Sequence, residues 1–139
     1  MRVLLVTSEA VPFAKTGGLA DVASGLSKAL ATLGHQVTLA LPYYRKIIKP
    51  NLAGEAVGKI VVPIGEKRVE AEIRMAQMPG SEARVMLIDQ PEYFDRSGLY
   101  VEKGHDYTDN AERFIFFARA VLEAARHLDL QPDVIHAND

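Results

Sequence analysis

The spacing of apolar residues changes along this chain, and each change predicts a different element. Val3-Leu4-Leu5-Val6 is a continuous apolar run bounded by polar residues, the pattern of a parallel strand covered on both faces. From there Leu19, Val22, Ala23, Leu26, Leu30 and Leu33 recur at helical spacing, and Gly34 supplies a stop. Val37–Leu41 is a second continuous run, closed by Pro42. Strand, helix and strand in that order make a right-handed β-α-β unit.

The middle of the chain follows a different period. Lys59–Pro63 and Arg68–Met78 read as strands joined by a turn at Gly65-Glu66. Val69, Ala71, Ile73 and Met75 alternate with Glu70, Glu72 and Arg74, which predicts a half-exposed antiparallel hairpin whose charged face is solvated. Arg84–Ile88 is again continuously apolar and is placed back in the main sheet, ended by Asp89-Gln90-Pro91. Glu92–Thr108, with Gly98, Gly104 and three tyrosines, is irregular; loops of that length are often functional. Asp109 and Glu112 form a capping box for a second long helix, with Phe114, Phe117, Ala118, Val121, Leu122 and Ala125 as its buried stripe. Pro132 breaks the chain, and Asp133-Val134-Ile135-His136 is a further buried strand. The expected fold is α/β: a Rossmann-like, mostly parallel sheet with a β-hairpin insertion. A doubly wound sheet would continue into a helix after Asp139, so a truncated or excised piece is expected. No internal repeat or second-domain linker is visible.

Composition narrows the chemistry. The 139 residues are 48% apolar and 24% charged, with net charge −2, so there is no nucleic-acid footprint. Cysteine is absent, which removes disulfides, thiolate metal sites and cysteine nucleophiles. No apolar run approaches the roughly 18 residues of a membrane span. Glu9 and Pro12 follow the first apolar run where a signal peptide would have a longer h-region and small residues. The cytoplasm is the default location. His35, His105 and His127 show no metal-ligand spacing.

The chemistry concentrates in Lys15-Thr16-Gly17-Gly18-Leu19-Ala20-Asp21-Val22, between the first strand and the first helix. Free N–H groups and the dipole at a helix start attract phosphate. The turn is neither a P-loop nor the GxGxxG fingerprint, and the second strand ends without the acidic residue of dinucleotide-binding folds. A dinucleotide-dependent oxidoreductase is therefore disfavoured. Lys15 is either a solvated loop lysine or a point charge for a phosphate. Gly17 and Gly18 either relieve a tight turn or let a ligand reach the backbone. Asp21 either complements the helix dipole or accepts hydrogen bonds from ligand hydroxyls. Tyr93 and Tyr107 are expected to pack the loop, and Asn110 to belong to the helix cap.

The segment from Ser8 to Val22 closely resembles the start of bacterial glycogen synthases and plant starch synthases. Leu41-Pro42-Tyr43-Tyr44, Tyr93-Phe94-Asp95-Arg96, Gly98-Leu99-Tyr100, Tyr107-Thr108-Asp109-Asn110, Arg113-Phe114 and Asp133–Asp139 match in order. The resemblance implies a retaining glucosyltransferase of the two-domain GT-B arrangement. It moves glucose from ADP-glucose, or sometimes UDP-glucose, to the nonreducing end of an α-1,4-glucan, without metal or other cofactor. Residues 1–139 would be part of the N-terminal, acceptor-side domain, lacking the C-terminal nucleotide-binding domain and inactive alone.

By position, the resemblance assigns Lys15 to the sugar nucleotide, the backbone of Gly17 and Gly18 to its diphosphate, and Asp21 to the edge of the donor site. It assigns Asp139 to catalysis beside the transferred glucose, and Glu9 and Tyr100 to the glucan acceptor. His136 falls in the same substrate-binding set, although a lone histidine on a buried strand is ordinarily structural. Family members often carry a second histidine where this chain has Asn138. The competing reading is a stand-alone glucan- or nucleotide-binding module without catalysis.

Overall fold

The continuous apolar runs become neighbouring parallel strands. The computed structural model describes every residue from Met1 to Asp139. Strand β1 (Arg2–Val6) pairs with β2 (Gln36–Pro42) on one side, in register from Arg2↔Gln36 to Val6↔Ala40. On its other side β1 pairs with β8 (Val134–Ala137), Leu5 lying opposite His136. Strand β5 (Arg84–Asp89) lies parallel to β2. Between them in sequence come a 3-10 turn at Pro50–Leu52 and the strands β3 (Glu55–Ile64) and β4 (Lys67–Gln77). Strand β4 runs antiparallel to both β3 and β5. The hairpin therefore extends the main sheet, whose order is β3-β4-β5-β2-β1-β8. Leu4, Leu5, Leu39, Leu41, Val85, Met86 and Leu87 are at most 1% exposed, each contributing about 1.5–3 kcal/mol by burial.

Helix α1 (Gly18–Thr32) links β1 to β2 and packs on β2. Its buried residues are Ala20, Ala23, Ser24 and Ser27, while Val22 and Leu33 are exposed. The stripe predicted from large apolar residues is thus turned: small side chains let the helix approach closely. The Ser24 hydroxyl donates to Val11 O at 2.6 Å and that of Ser27 to Ala23 O at 2.8 Å, so neither is buried unpaired. Gly34, with φ of +90°, ends the helix as predicted. Its N–H donates to Ala31 O at 2.9 Å and that of His35 to Leu30 O at 3.1 Å, a Schellman closure that favours glycine.

Helix α3 (Asn110–His127) buries Arg113, Phe116, Phe117, Ala120, Val121, Ala124 and Ala125 and packs on β3 and β5. Phe117, Val121 and Ala125 fall where the stripe predicts, but Ala118 and Leu122 are exposed, so the face is rotated by a residue. The expected capping box does not form. The Asp109 carboxylate is gripped by Arg96, at 2.7 Å to each oxygen, and that of Glu112 accepts from Tyr93 Oη at 2.5 Å and Lys67 Nζ at 3.1 Å. Asp109 keeps only the backbone role of an N-cap, its carbonyl accepting the first helical bond from Arg113 N–H at 2.9 Å. Strand β8 forms where the sequence predicts a strand; within residues 1–139 it is the outermost strand beside β1, and Val134, Ile135 and His136 are exposed there.

The segment read as irregular holds a one-turn helix α2 (Pro91–Phe94) and a two-residue hairpin, β6 (Val101–Glu102) with β7 (His105–Asp106). Tyr93 is buried, and Tyr107 lies under Arg96 and Arg113, with guanidinium carbons 4.7 and 4.8 Å from its ring centre. Both tyrosines pack the loop. No helix is long and apolar enough to cross a membrane.

Candidate active site

Where strand order reverses in an open α/β sheet, a crevice opens at the carboxyl ends of the strands. From β1 this sheet runs to β2 and β5 on one side and to β8 on the other. The crevice between β1 and β8 is a cleft of about 410 Å³, whose polar lining includes Ser8, Tyr100, Asn110, Asn138 and Asp139. Asn138 is fixed there by its Nδ2, which donates to Val6 O at 3.0 Å. Asn110 is more than a cap residue. It lines the cleft, and its Nδ2 donates to Tyr100 O at 2.9 Å.

The glycine turn begins beside this cleft, and Glu9 organises it. The Glu9 carboxylate accepts from Thr16 N–H at 2.6 Å, Gly17 N–H at 3.1 Å, Thr16 Oγ1 at 2.5 Å and Tyr100 Oη at 2.7 Å. Burial pushes this carboxyl up, but the hydrogen bonds from Thr16, Tyr100 and Gly17 outweigh it and hold it below its usual range. Tyr100 has one proton and gives it to Glu9, so the Ser8 hydroxyl, 2.6 Å away, donates to Tyr100. Burial pushes the Tyr100 hydroxyl well up; Ser8 opposes this, and the Glu9 and Asp139 charges add to it. Tyr100 therefore stays a hydrogen-bond donor across the physiological range. Tyr44 Oη closes the cluster by donating to Ser8 O at 2.8 Å.

Gly17 and Gly18 hold no unusual backbone conformation, and a Cβ on either would meet nothing within 4 Å. Relief of a tight turn does not explain them. They leave open backbone at the start of α1, where the N–H groups of Gly18 and Leu19 have no acceptor in the chain. Lys15 Nζ reaches Asp21 Oδ2 at 2.7 Å, both side chains more than half exposed, so the pair sits at the surface of the turn.

Of the residues singled out from the sequence, Glu9, Gly17 and Tyr100 are joined in one hydrogen-bonded cluster. Lys15, Gly18 and Asp21 flank it on the turn. Asp139 shares the cleft with Tyr100. His136 is not among the residues lining the cleft and points from the exposed edge strand. Sequence reasoning missed Ser8, Thr16 and Arg113. The first two lie inside the quoted segment, where their hydroxyls were the available signal. Arg113 carried one as well: a cation on the buried face of α3, one turn before Phe116 and Phe117.

Fold and cleft together define an α/β domain with a mostly parallel sheet, unpaired N–H groups at the start of α1 and a carboxylate in the cleft between β1 and β8. The comparisons make this particular. A family model described as the starch synthase catalytic domain matches residues 2–139. Glycogen synthase from Syntrophotalea carbinolica is 41% identical over all of this chain and 28% of its own length. Glycogen synthase from Elusimicrobium minutum is 43% identical over all of this chain and 29% of its own. The solved catalytic domain of starch synthase IV from Arabidopsis thaliana, bound to ADP and acarbose, is similar with a TM-score of 0.85 and 31% identity, over 99% of this chain and 28% of that one. The chain belongs to the glycogen and starch synthase family, and it spans under a third of the length of these relatives.

Proposed function

We propose that these residues form the acceptor-side part of a glycogen synthase. The enzyme transfers glucose, with retention, from ADP-glucose to the nonreducing end of an α-1,4-glucan. The observation that carries this reading is the open backbone of Gly17 and Gly18 beside a switch-point cleft containing Asp139. The nucleotide and the glucan analogue bound to the plant relative support it.

The geometry supports the following chemistry. Breaking the glucosyl–phosphate bond places negative charge on the leaving diphosphate. The free N–H groups of Gly18 and Leu19 and the Lys15 ammonium stabilise that charge in fixed positions. Lys15 leaves Asp21 for the phosphate, which frees Asp21 to accept hydrogen bonds from ligand hydroxyls. The sugar gains oxocarbenium character, and Asp139 stabilises it across the cleft. Tyr100 and Glu9 form the rim on which the acceptor rests. The leaving phosphate assists the incoming hydroxyl on the same face, giving retention. The wall that reads the base and grips the diphosphate from the other side belongs to a second, nucleotide-binding domain.

The test is glucosyl transfer by the natural polypeptide carrying this sequence, with ADP-glucose and UDP-glucose as donors and glycogen as acceptor. The expected result is preference for ADP-glucose and an α-configured product by NMR. Binding of ADP and glucan without transfer from either donor would instead support a non-catalytic module. A β-configured product would rule out retention.

A further inference from the structure

Arg113 is fully buried, and no carboxylate pairs with it. Its Nε donates to Tyr93 O at 2.6 Å, and its Nη1 donates to Leu99 O at 3.0 Å and Asn110 Oδ1 at 2.7 Å. The guanidinium carbon lies 4.8 to 5.3 Å from the ring centres of Tyr107, Phe114 and Phe94. The Nη2 nitrogen has no acceptor. Burial and the nearby Arg96 charge lower its pKa, as expected where carbonyls and ring faces replace a counter-ion. Burying a charge this way is costly, and an apolar side chain would fill the space at less expense of free energy. What an apolar side chain cannot supply is a planar set of donors to three fixed acceptors.

Two of those acceptors, Leu99 O and Asn110 Oδ1, flank one residue. Leu99 O belongs to the peptide group on the amino side of Tyr100. Asn110, held by Arg113, donates to the Tyr100 carbonyl on the other side. The Tyr100 hydroxyl in turn bonds Glu9, and Glu9 holds the N–H groups of Thr16 and Gly17. A continuous hydrogen-bonded line thus runs from the buried face of α3, past the cleft, to the glycine turn.

We infer that Arg113 is the positioning residue for Tyr100, fixing both peptide groups that flank it, and that it couples the cleft to the glycine turn through Glu9. The inference rests on the reading of Tyr100 as part of the acceptor rim. Arg113→Lys keeps the charge but cannot reach all three acceptors, and Asn110→Ala removes the link to the Tyr100 carbonyl together with one Arg113 acceptor while leaving Tyr93 O and Leu99 O in place.

The experiment uses the natural polypeptide. In Arg113→Lys the KM for a maltooligosaccharide acceptor should rise about tenfold, and the KM for ADP-glucose, bound at the turn on the far end of the line, should rise by less. In a Tyr100→Phe background the same substitution should add less than about twofold, because both act through one residue. Asn110→Ala should give a smaller rise of the same kind, and it decides the matter should Arg113→Lys not fold. Hydrogen exchange at the Thr16 and Gly17 amides reads the line without turnover and should quicken in Arg113→Lys. Effects that add in the double variant, equal losses for donor and acceptor, or unchanged exchange at those amides would overturn the inference. A wild-type protein that transfers no glucose fails the functional reading instead, and the exchange measurement still tests the line from Arg113 to the turn.

Discussion

At the scale of single residues, the structure separates stability from ligand contact in the glycine turn. Lys15 and Asp21 form an exposed pair, and such pairs contribute about 0–1 kcal/mol. Lys15→Ala should therefore leave unfolding nearly unchanged. It should raise the donor KM by the loss of a charge-assisted phosphate contact, about 1.5–3 kcal/mol. Steady-state kinetics beside thermal melting checks both halves, and unchanged donor kinetics would remove Lys15 from the site. Glu9 is the opposite case, a buried carboxylate with four donors. Glu9→Gln sets an amide nitrogen among those donors and should cost roughly 1.5–3 kcal/mol. The folded carboxyl titrates below its unfolded value, so its contribution is complete above the ordinary carboxylate pKa and is lost as pH falls through the folded one. The stability gap between wild type and Glu9→Gln should hold at neutral pH and close below about pH 4. Urea unfolding across that range would show it, and a gap undiminished at about pH 3 would contradict the role of the charge. The contiguous motif made Lys15, Gly17, Gly18 and Asp21 legible in the sequence. That Glu9 organises the turn was not legible, because its partners include Tyr100, ninety-one positions away.

At the scale of elements, strands were easier to read than helix faces. Continuous apolar runs marked β1, β2 and β5 because a strand buried on both faces leaves little room for polar residues. The stripes of α1 and α3 hold in part: Ala23, Phe117, Val121 and Ala125 are buried and Leu26, Leu30 and Phe114 pack against the core, while Val22, Leu33, Ala118 and Leu122 face out, because side-chain size alone does not decide which face packs. Alanine and serine bring α1 close, and a cation heads the buried face of α3. The pieces between β5 and α3 were hidden for another reason: Arg96 and Arg113 hold them through carbonyls that no local pattern reveals. The glycines of these two regions make a controlled comparison. A Cβ at Gly98 would lie 2.1 Å from Val101 O, so Gly98→Ala must move backbone and should destabilise by about 1–3 kcal/mol. A Cβ at Gly18 meets nothing, so Gly18→Ala should change stability by less than roughly 0.5 kcal/mol yet weaken ADP-glucose binding. Melting should fall in Gly98→Ala and stay put in Gly18→Ala, and calorimetric titration should weaken in Gly18→Ala. Donor binding unchanged in Gly18→Ala would mean that no ligand approaches that backbone.

At the scale of the whole molecule, topology supports the catalytic role that the resemblance proposes for Asp139. Asp139 reaches the cleft because β8 joins β1 on the side away from β2. That step to the far side of β1 opens a crevice between two parallel strands. No local pattern around Asp139 announces this. The run before it reads as a strand, and it forms one as β8. What the position dictates is a carboxylate facing the same cleft as Tyr100, close enough for its charge to bear on the tyrosine hydroxyl. In the proposed reaction it meets positive charge that exists only as the glucosyl bond breaks. Asp139→Asn keeps the shape and removes the charge. In the natural polypeptide it should lower kcat by roughly 10²-fold while donor affinity falls far less, since the lost interaction is specific to the transition state. Single-turnover kinetics with ADP-glucose, beside equilibrium binding of the donor, separates the two. Equal losses in binding and turnover would make Asp139 a ground-state contact, and the cleft would then be a place where the sugar is held rather than where its bond is broken.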